Sequence, residues 1–410
     1  MITRIEIDGF KSFQDFSLDL RPFTVVIGTN AGGKSNLVEA LLFLSRLSRL
    51  PRSNAYEAVE EVRGRTAMLF RQRGDGSRVE RIRLAVEMLL DHRPSYVSAL
   101  PGDRARMRYE VVLGLEGRRF TVLKQSVTEV EPAGDRWFDL VRASPRWRAA
   151  LEPVADPGDS EESTVVRAAN PLDSLRFLDL HDRSLREPSD TEGPGLLDAA
   201  GGGLAGYLRA IGQDLDADGV SGAAVLAAVR ADLGMIVRDI VGFRVVEDER
   251  RHESWIEFTA RDQPPFPADV ASDGTLRALA LLASLHDPRP WAGPLVVEEP
   301  ENGLFPERLR DLLTVSRAAT SDPAHDGPGD PLRQVLLTSH SPLVLDVVPA
   351  EEIVFLDAVQ VVGPHGSQRV SRARRLLAPG ERMTREQIGT VVPPRELAEF
   401  RAGDRPGARL

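Results

Sequence analysis

The chain opens with alternating apolar and charged residues. Ile5, Ile7 and Phe10 stand against Arg4, Glu6 and Asp8, which predicts a strand. "FSLDLRPFTVVIG" adds a second strand and then a fully apolar one over Phe23 to Ile27. After "GTNAGGKSN", the run "LVEALLFLSRLSRL" is apolar at helical spacing. Residues 77–124 alternate with period two in "SRVERIRLAVEML", "RMRYEVVLGL" and "RRFTVLKQSV", with turns at "GDG" and "LEG". That pattern predicts an antiparallel sheet with one wet face. An acidic loop, "EPVADPGDSEEST", covers 152–164, and 165–240 reads as mainly helical, broken by "GPGLLDAAGGG". "VGFRVVEDERRHESWIEFTAR" returns to hairpin strands. The remainder alternates helix, strand, helix and strand through "DGTLRALALLASL", "GPLVVEE", "PERLRDLLTVSRAA" and "RQVLLTSHS", with a Gly/Pro/Asp-rich loop at 321–331. Such alternation predicts a mostly parallel sheet. Beyond about 361 the chain is polar and Arg-rich, with no clear core.

Composition narrows the classes. The 410 residues, 42% hydrophobic and 28% charged, suit a soluble globular protein of one large or two ordinary domains. A net charge of -10 argues against bulk adhesion to DNA, while leaving room for a local basic patch. The absence of cysteine removes disulfides, thiolate catalysis and cysteine-zinc sites, and fits a cytoplasmic protein. Charges interrupt "MITRIEIDGF" at every second residue, so it does not read as a signal peptide, and "LALLASL" is too short to span a bilayer. Lysine occurs only at Lys11, Lys34 and Lys124; a lysine retained in so Arg-rich a chain marks a place where a compact ammonium is needed.

One of those lysines lies in "GTNAGGKS", which matches G-x-x-x-x-G-K-S after an apolar strand and before a helix. Glycines let backbone N–H groups wrap an anion, and the helix N-terminus adds partial positive charge. The nucleotide site is expected on Gly28, Asn30, Gly32, Gly33, Lys34, Ser35 and Asn36. Lys34 would reach the β- and γ-phosphates of ATP and Ser35 would ligate Mg²⁺. The apolar run Leu295 to Val297 ends in Glu298 and Glu299. In a phosphate-loop protein the end of a later apolar strand supplies a second Mg²⁺ contact, usually an Asp; here Glu298 takes that place, through a water, and Glu299 would polarise the attacking water. Taken alone, the two acids would be a solvated strand end. "QVLLTSHSP" places His340 at another strand end, where it would reach the γ-phosphate and that water; a lone histidine there would otherwise be structural. "ASDGTLRALALL" puts Ser272 and Gly274 at a second anion-ready helix start, a pattern that a simple N-cap also produces.

In this order the four pieces resemble an ABC-type ATPase head, of the RecF/SMC/OLD-like group of predicted ATPases. "GFKSF" and the Asn36 after the loop serine are similar to that group's N-terminal segment; "SDGTLR" resembles its signature, "EEPENGLFP" its Walker B and D-loop, and "TSHSP" its switch-histidine strand. The likeness covers about residues 1–50 and 268–357, and "LDAAGGGLAGYL" is similar to a further loop of the group. It implies an α/β fold of P-loop NTPase, ABC-head type: a mostly parallel core sheet with an N-terminal antiparallel β subdomain and a helical insertion. The expected domains are 1–125, an ATPase lobe; 126–240, a mainly helical insertion; 241–360, the second ATPase lobe; and 361–410, the tail.

The resemblance also implies a mechanism. Two heads close on two ATP molecules, each site joining one subunit's phosphate loop to the other's Ser272 and Gly274. Glu299 is then the general base, His340 the γ-phosphate sensor, and Lys34 the phosphate cation. Asn302 and Gly303 lie at the dimer seam, and Arg277 either faces it or pairs locally. There are departures: Glu298 replaces the usual Asp, Gln72 is a weak Q-loop candidate, and neither a long coiled coil nor a nuclease-like acidic cluster is evident. Phe13, Phe16 and Phe23 are core residues or adenine stackers, with core favoured. The segment 369–375 is a solvated face or a nucleic-acid contact, with the solvated face favoured. The expected partners are a second copy of the chain in the presence of ATP and a separate effector or nuclease, as in anti-phage defence, with DNA as a further ligand and no membrane. The alternatives are a RecF-like DNA repair ATPase and a nucleotide-locked binding module with little turnover. A transporter motor is disfavoured without a Q-loop.

Overall fold

The computed structural model describes residues 1–49, 58, 69–91, 104–116, 119–130, 171–213, 221–287, 293–322, 332–378 and 380–403. The expected acidic loop at 152–164 lies outside them, as do much of the helical insertion and most of the Gly/Pro/Asp-rich loop. The chain divides into two compact units: Met1–Leu175 with Thr320–Gln334 and Pro349–Leu410, and Arg176–Ala319 with Val335–Val348.

The first unit begins with the predicted sheet. β1 (Ile2–Asp8) pairs antiparallel with β2 (Phe16–Asp19), and every residue of β3 (Phe23–Ile27) is buried. α1 (Lys34–Arg49) turns Leu37, Leu41 and Leu44 inward, as its spacing requires. β4 (Arg81–Asp91), β5 (Arg104–Glu116) and β6 (Arg119–Glu129) complete a five-stranded antiparallel sheet in the order β2-β1-β4-β5-β6. One face buries Ile5, Ile7, Leu84 and Val111. The other carries a charge ladder: Arg108 pairs with Glu6 at 2.6 Å, Arg83 with Glu6 and with Glu110 at 3.1 Å, and Lys124 with Glu110 at 3.1 Å. Opposite charges facing each other across strands stabilise the pairing. Phe13, Phe16 and Phe23 are 0%, 5% and 2% exposed, so all three are core residues rather than adenine stackers.

The second unit is built around a short parallel ladder. It starts with β7 (Arg176–Leu178), α2 (Asp182–Arg186), β8 (Ser189–Asp190), α3 (Leu204–Gln213) and α4 (Gly222–Ile236). The hairpin β9 (Ile240–Asp248) and β10 (Glu253–Ala260) follows where alternation placed it, and β10 also pairs with β8 and β11 (Phe266–Pro267). α5 (Asp273–His286) is apolar almost all round and correspondingly buried. β12 (Leu295–Glu298) is followed by α6 (Pro306–Ala318), whose N-terminal proline suits a helix start, then by β13 (Val335–Ser339) and α7 (Val344–Val347). β12 pairs in parallel with β13 and with β7. The sequence pattern predicts a mainly helical 165–240, but Arg176–Leu178 is a strand. Three residues cannot display a period of two, and tertiary pairing with Leu295, Val296 and Val297 decides the state.

Back in the first unit, β14 (Ile353–Gly363) pairs in parallel with β3 and antiparallel with β15 (Gly366–Arg375), and α8 (Pro394–Gly403) follows. The expectation of a coreless tail is overturned here. Val370, Ser371, Leu376, Val391 and Val392 are buried, and Arg374, 4% exposed, bonds to Asp357 and Glu396. An arginine-rich segment looked solvated because its charges are answered by acids that are distant in sequence.

Candidate functional site

The phosphate loop belongs to the first unit. β3 ends at Ile27, and the chain turns at Gly28 with φ 151°. A Cβ there would lie 1.9 Å from the Leu356 carbonyl oxygen, so only glycine fits. Gly33, with φ 109°, is also crowded: a Cβ there would lie 2.3 Å from Ser371 Oγ. Lys34 is 6% exposed, and its ammonium donates to the carbonyls of Gly28 at 3.0 Å and Thr29 at 3.3 Å. The ammonium is therefore held across the loop it would serve. Asn30 and Ser35 are exposed, Ser35 in the first turn of α1, while Gly32 is buried. Asn36 is turned elsewhere: its amide nitrogen donates to Ser12 Oγ at 2.8 Å.

The carboxylates belong to the second unit. β12 stops at Glu298, paired with Thr338, and Glu299 takes φ 46° while its N–H donates to the Thr338 carbonyl at 3.0 Å. That bond keeps the acid turn against the end of β13. There His340 Nε2 lies 3.0 Å from Glu299 Oε1, and Asn302 Nδ2 donates to Glu299 Oε2 at 3.2 Å. Both oxygens of Glu299 are thus oriented, in a side chain that is still 39% exposed. Glu298 and Glu299 border a small hollow walled by Leu180, Leu281, Val297 and Leu312.

Two residues in this half carry more than the sequence disclosed. Glu301 Oε1 accepts from the His340 N–H at 2.6 Å and from Ser339 Oγ at 2.9 Å, tying the turn after the acids to the histidine strand. Its place in "EEPENG" was visible; its partners, 38 and 39 residues away, were not. Gly274 is buried, and a Cβ on it would meet the Gly303 carbonyl at 2.5 Å. Ser272 caps α5, accepting from Thr275 N–H at 3.2 Å, and is exposed. Arg277 pairs locally with Asp182 at 2.7 Å. Gln72 is an exposed bridge residue.

By residue type, each unit's groups are compatible with a magnesium nucleotide. The glycine backbone and ammonium of the first suit phosphate, and a hydroxyl such as that of Ser35 or a carboxylate such as that of Glu298 is the kind of hard oxygen that Mg²⁺ takes. Among the described residues no group of three His, Asp or Glu side chains could form an all-protein metal cage. Mg²⁺ is commonly held by one or two protein oxygens together with substrate phosphates. No helix among the described residues is long and apolar enough to cross a membrane.

Comparison with known proteins bears on the fold and the family. The family described as "AAA domain, putative AbiEii toxin, Type IV TA system" matches residues 23–346. The chromosome partition protein Smc of Methanocaldococcus jannaschii is 48% identical over 44 residues, which is 10% of this chain and 4% of that protein. Among solved structures, an Smc head bound to the C-terminal winged-helix domain of ScpA aligns with TM-score 0.52 and 16% identity, covering 90% of this chain and 97% of that one. An Smc head with an extended coiled coil, bound to the C-terminal domain of ScpA from Pyrococcus furiosus, gives 0.51 and 12%, covering 90% and 96%. The fold is that of an ABC-type ATPase head.

Proposed function

The chain belongs to the AAA-domain family of that description, and on this premise we propose that it binds Mg-ATP and hydrolyses it. The observation that carries the reading is the orientation of Glu299. A carboxylate at a strand end is ordinarily a solvated charge, but this one is gripped on both oxygens, by His340 and Asn302. Glu299 in this role accepts the proton of the attacking water, and His340 holds the carboxylate in line. Lys34 and the loop N–H groups bind the phosphates. Mg²⁺, when bound, neutralises charge on the phosphate oxygens, with Ser35 and Glu298 as its protein contacts.

The reading extends to a second copy of the chain. Ser272, Asn302 and Gly303 are exposed, and the close approach of Gly274 to Gly303 places the start of α5 beside the turn after the acids. Val270 and Phe305, each 69% exposed, flank these segments with apolar surface. A nucleotide held between that surface and the partner copy's phosphate loop would join two heads. The two solved Smc heads are each bound to a ScpA domain, and the family description names a toxin system. These names support a contact with a separate protein, and gating of that contact by ATP is our proposal.

The test is Glu299→Gln. Turnover of Mg-ATP should fall by about 10²–10⁴-fold with nucleotide binding retained. In Mg-ATP the variant should gain mass on a sizing column with light scattering. Undiminished turnover would refute Glu299 as the base.

A further inference from the structure

Behind the phosphate loop runs a hydrogen-bond chain whose direction is fully determined. Ser371 Oγ donates to the Gly32 carbonyl at 2.8 Å. A hydroxyl has one proton, so the 2.7 Å contact between Ser371 Oγ and Ser12 Oγ has Ser12 as its donor. Ser12 in turn accepts from Asn36 Nδ2 at 2.8 Å. The order is Asn36 to Ser12 to Ser371 to Gly32, each hydroxyl donating once and accepting once. Ser371 is 3% exposed, and its own N–H donates to the Ser12 carbonyl at 2.8 Å, which fixes β15 to the turn after β1.

The last acceptor matters most. In a trans peptide the C=O of Gly32 and the N–H of Gly33 point to opposite sides. A carbonyl held toward Ser371 turns the Gly33 N–H away from Ser371. Glycine on both sides of this peptide would otherwise let it rotate at little cost. The close approach is built in, because a Cβ on Gly33 would lie 2.3 Å from Ser371 Oγ.

We infer that Ser371 and Ser12 are positioning residues that lock the Gly32–Gly33 peptide with its N–H presented to the phosphates, and that Asn36 acts through them rather than on the nucleotide. The inference rests on the phosphate loop binding a nucleoside triphosphate. Ser12 and Ser371 both lie outside the segment that matches the family, residues 23–346. The fold thus recruits both ends of the chain to set one peptide.

The experiment measures equilibrium binding of a fluorescent ATP analogue, with competition by ATP and by inorganic tripolyphosphate, in Mg²⁺. The proteins are the unchanged chain, Ser371→Ala, Ser12→Ala and the double variant. One buried hydrogen bond corresponds to about three- to tenfold in affinity. Each single variant should weaken both competitors by that factor, and the double variant should be no worse than the weaker single, because both break one chain. The melting temperature without nucleotide should move by no more than about 4 °C. A role confined to packing would move the melting temperature and leave tripolyphosphate affinity alone, which overturns the inference, as would additive losses. If Ser371→Ala does not fold, Ser12→Ala alone decides. If the unchanged chain binds neither ATP nor tripolyphosphate, the ATPase reading falls and takes this inference with it. If it binds them and both single variants match it, only the inference falls.

Discussion

His340 and Glu299 sit at the ends of neighbouring parallel strands, with imidazole Nε2 3.0 Å from the carboxylate Oε1. Neither residue alone would have stood out from a strand-end charge and a capping histidine. Together they form a unit, and units respond non-additively to mutation. His340→Ala should lower kcat less than Glu299→Gln, since the base remains and is still held on its other oxygen by Asn302. The double variant should be no slower than Glu299→Gln. Steady-state turnover of the three proteins checks this; multiplicative losses would mean that the two act separately.

Glu301 supports that pair through the histidine strand. Glu301→Ala would leave the His340 N–H and the Ser339 hydroxyl without their acceptor, at a cost of about 1–3 kcal/mol. Glu301→Gln keeps an acceptor oxygen and should recover most of the loss. Denaturant midpoints rank the three proteins, and kcat should follow the same order, because His340 is oriented through its own backbone.

How much of this was legible can be judged residue by residue. Period-two and helical patterns disclosed β1, α1, the antiparallel sheet and the β9–β10 hairpin, because each is long enough to show its period, and an unbroken apolar run disclosed β3. The three-residue β7 was not legible for the opposite reason. The phosphate loop was readable since its chemistry forces glycines and a lysine into one short run. Glu298, Glu299 and His340 could be named from strand ends, but their contact was not visible, nor was the hold of Glu301 on His340. Ser12 and Ser371 were invisible as a pair. They are 359 residues apart, and serine alone carries no signal. The tail misled because burial of Arg374 depends on Asp357 and Glu396, which only the fold brings to it.

Gly274 tests the proposed surface for a second copy. A methyl group there would meet the Gly303 carbonyl oxygen at 2.5 Å, and backbone on both sides leaves little room to yield. Gly274→Ala should cost about 1–3 kcal/mol by overpacking and should push the start of α5 away from the turn after the acids. In a Glu299→Gln background it should abolish the mass gain in Mg-ATP on a sizing column while the phosphate loop still binds nucleotide. An unchanged mass gain would show that this contact does not shape the joining surface.

The charge ladder of the first unit makes stability depend on acid pH with a definite sign. Hydrogen bonding from Arg108, aided by Arg4, holds the Glu6 carboxyl at about 2, below its ordinary 4.5, against the opposing effect of burial. A carboxyl depressed in the folded state contributes stability in full above its unfolded value. That contribution fades as pH falls from about 4.5 through about 2. Other carboxylates titrate in the same range, so the useful quantity is a difference between proteins. Glu6→Gln removes the titrating group but keeps an acceptor for Arg108. The urea midpoint of the unchanged chain should exceed that of Glu6→Gln at neutral pH, and the gap should close toward the acid end of that window. A gap that stays constant across it would mean that the pairing of Glu6 with Arg108, at 2.6 Å, contributes through shape rather than charge.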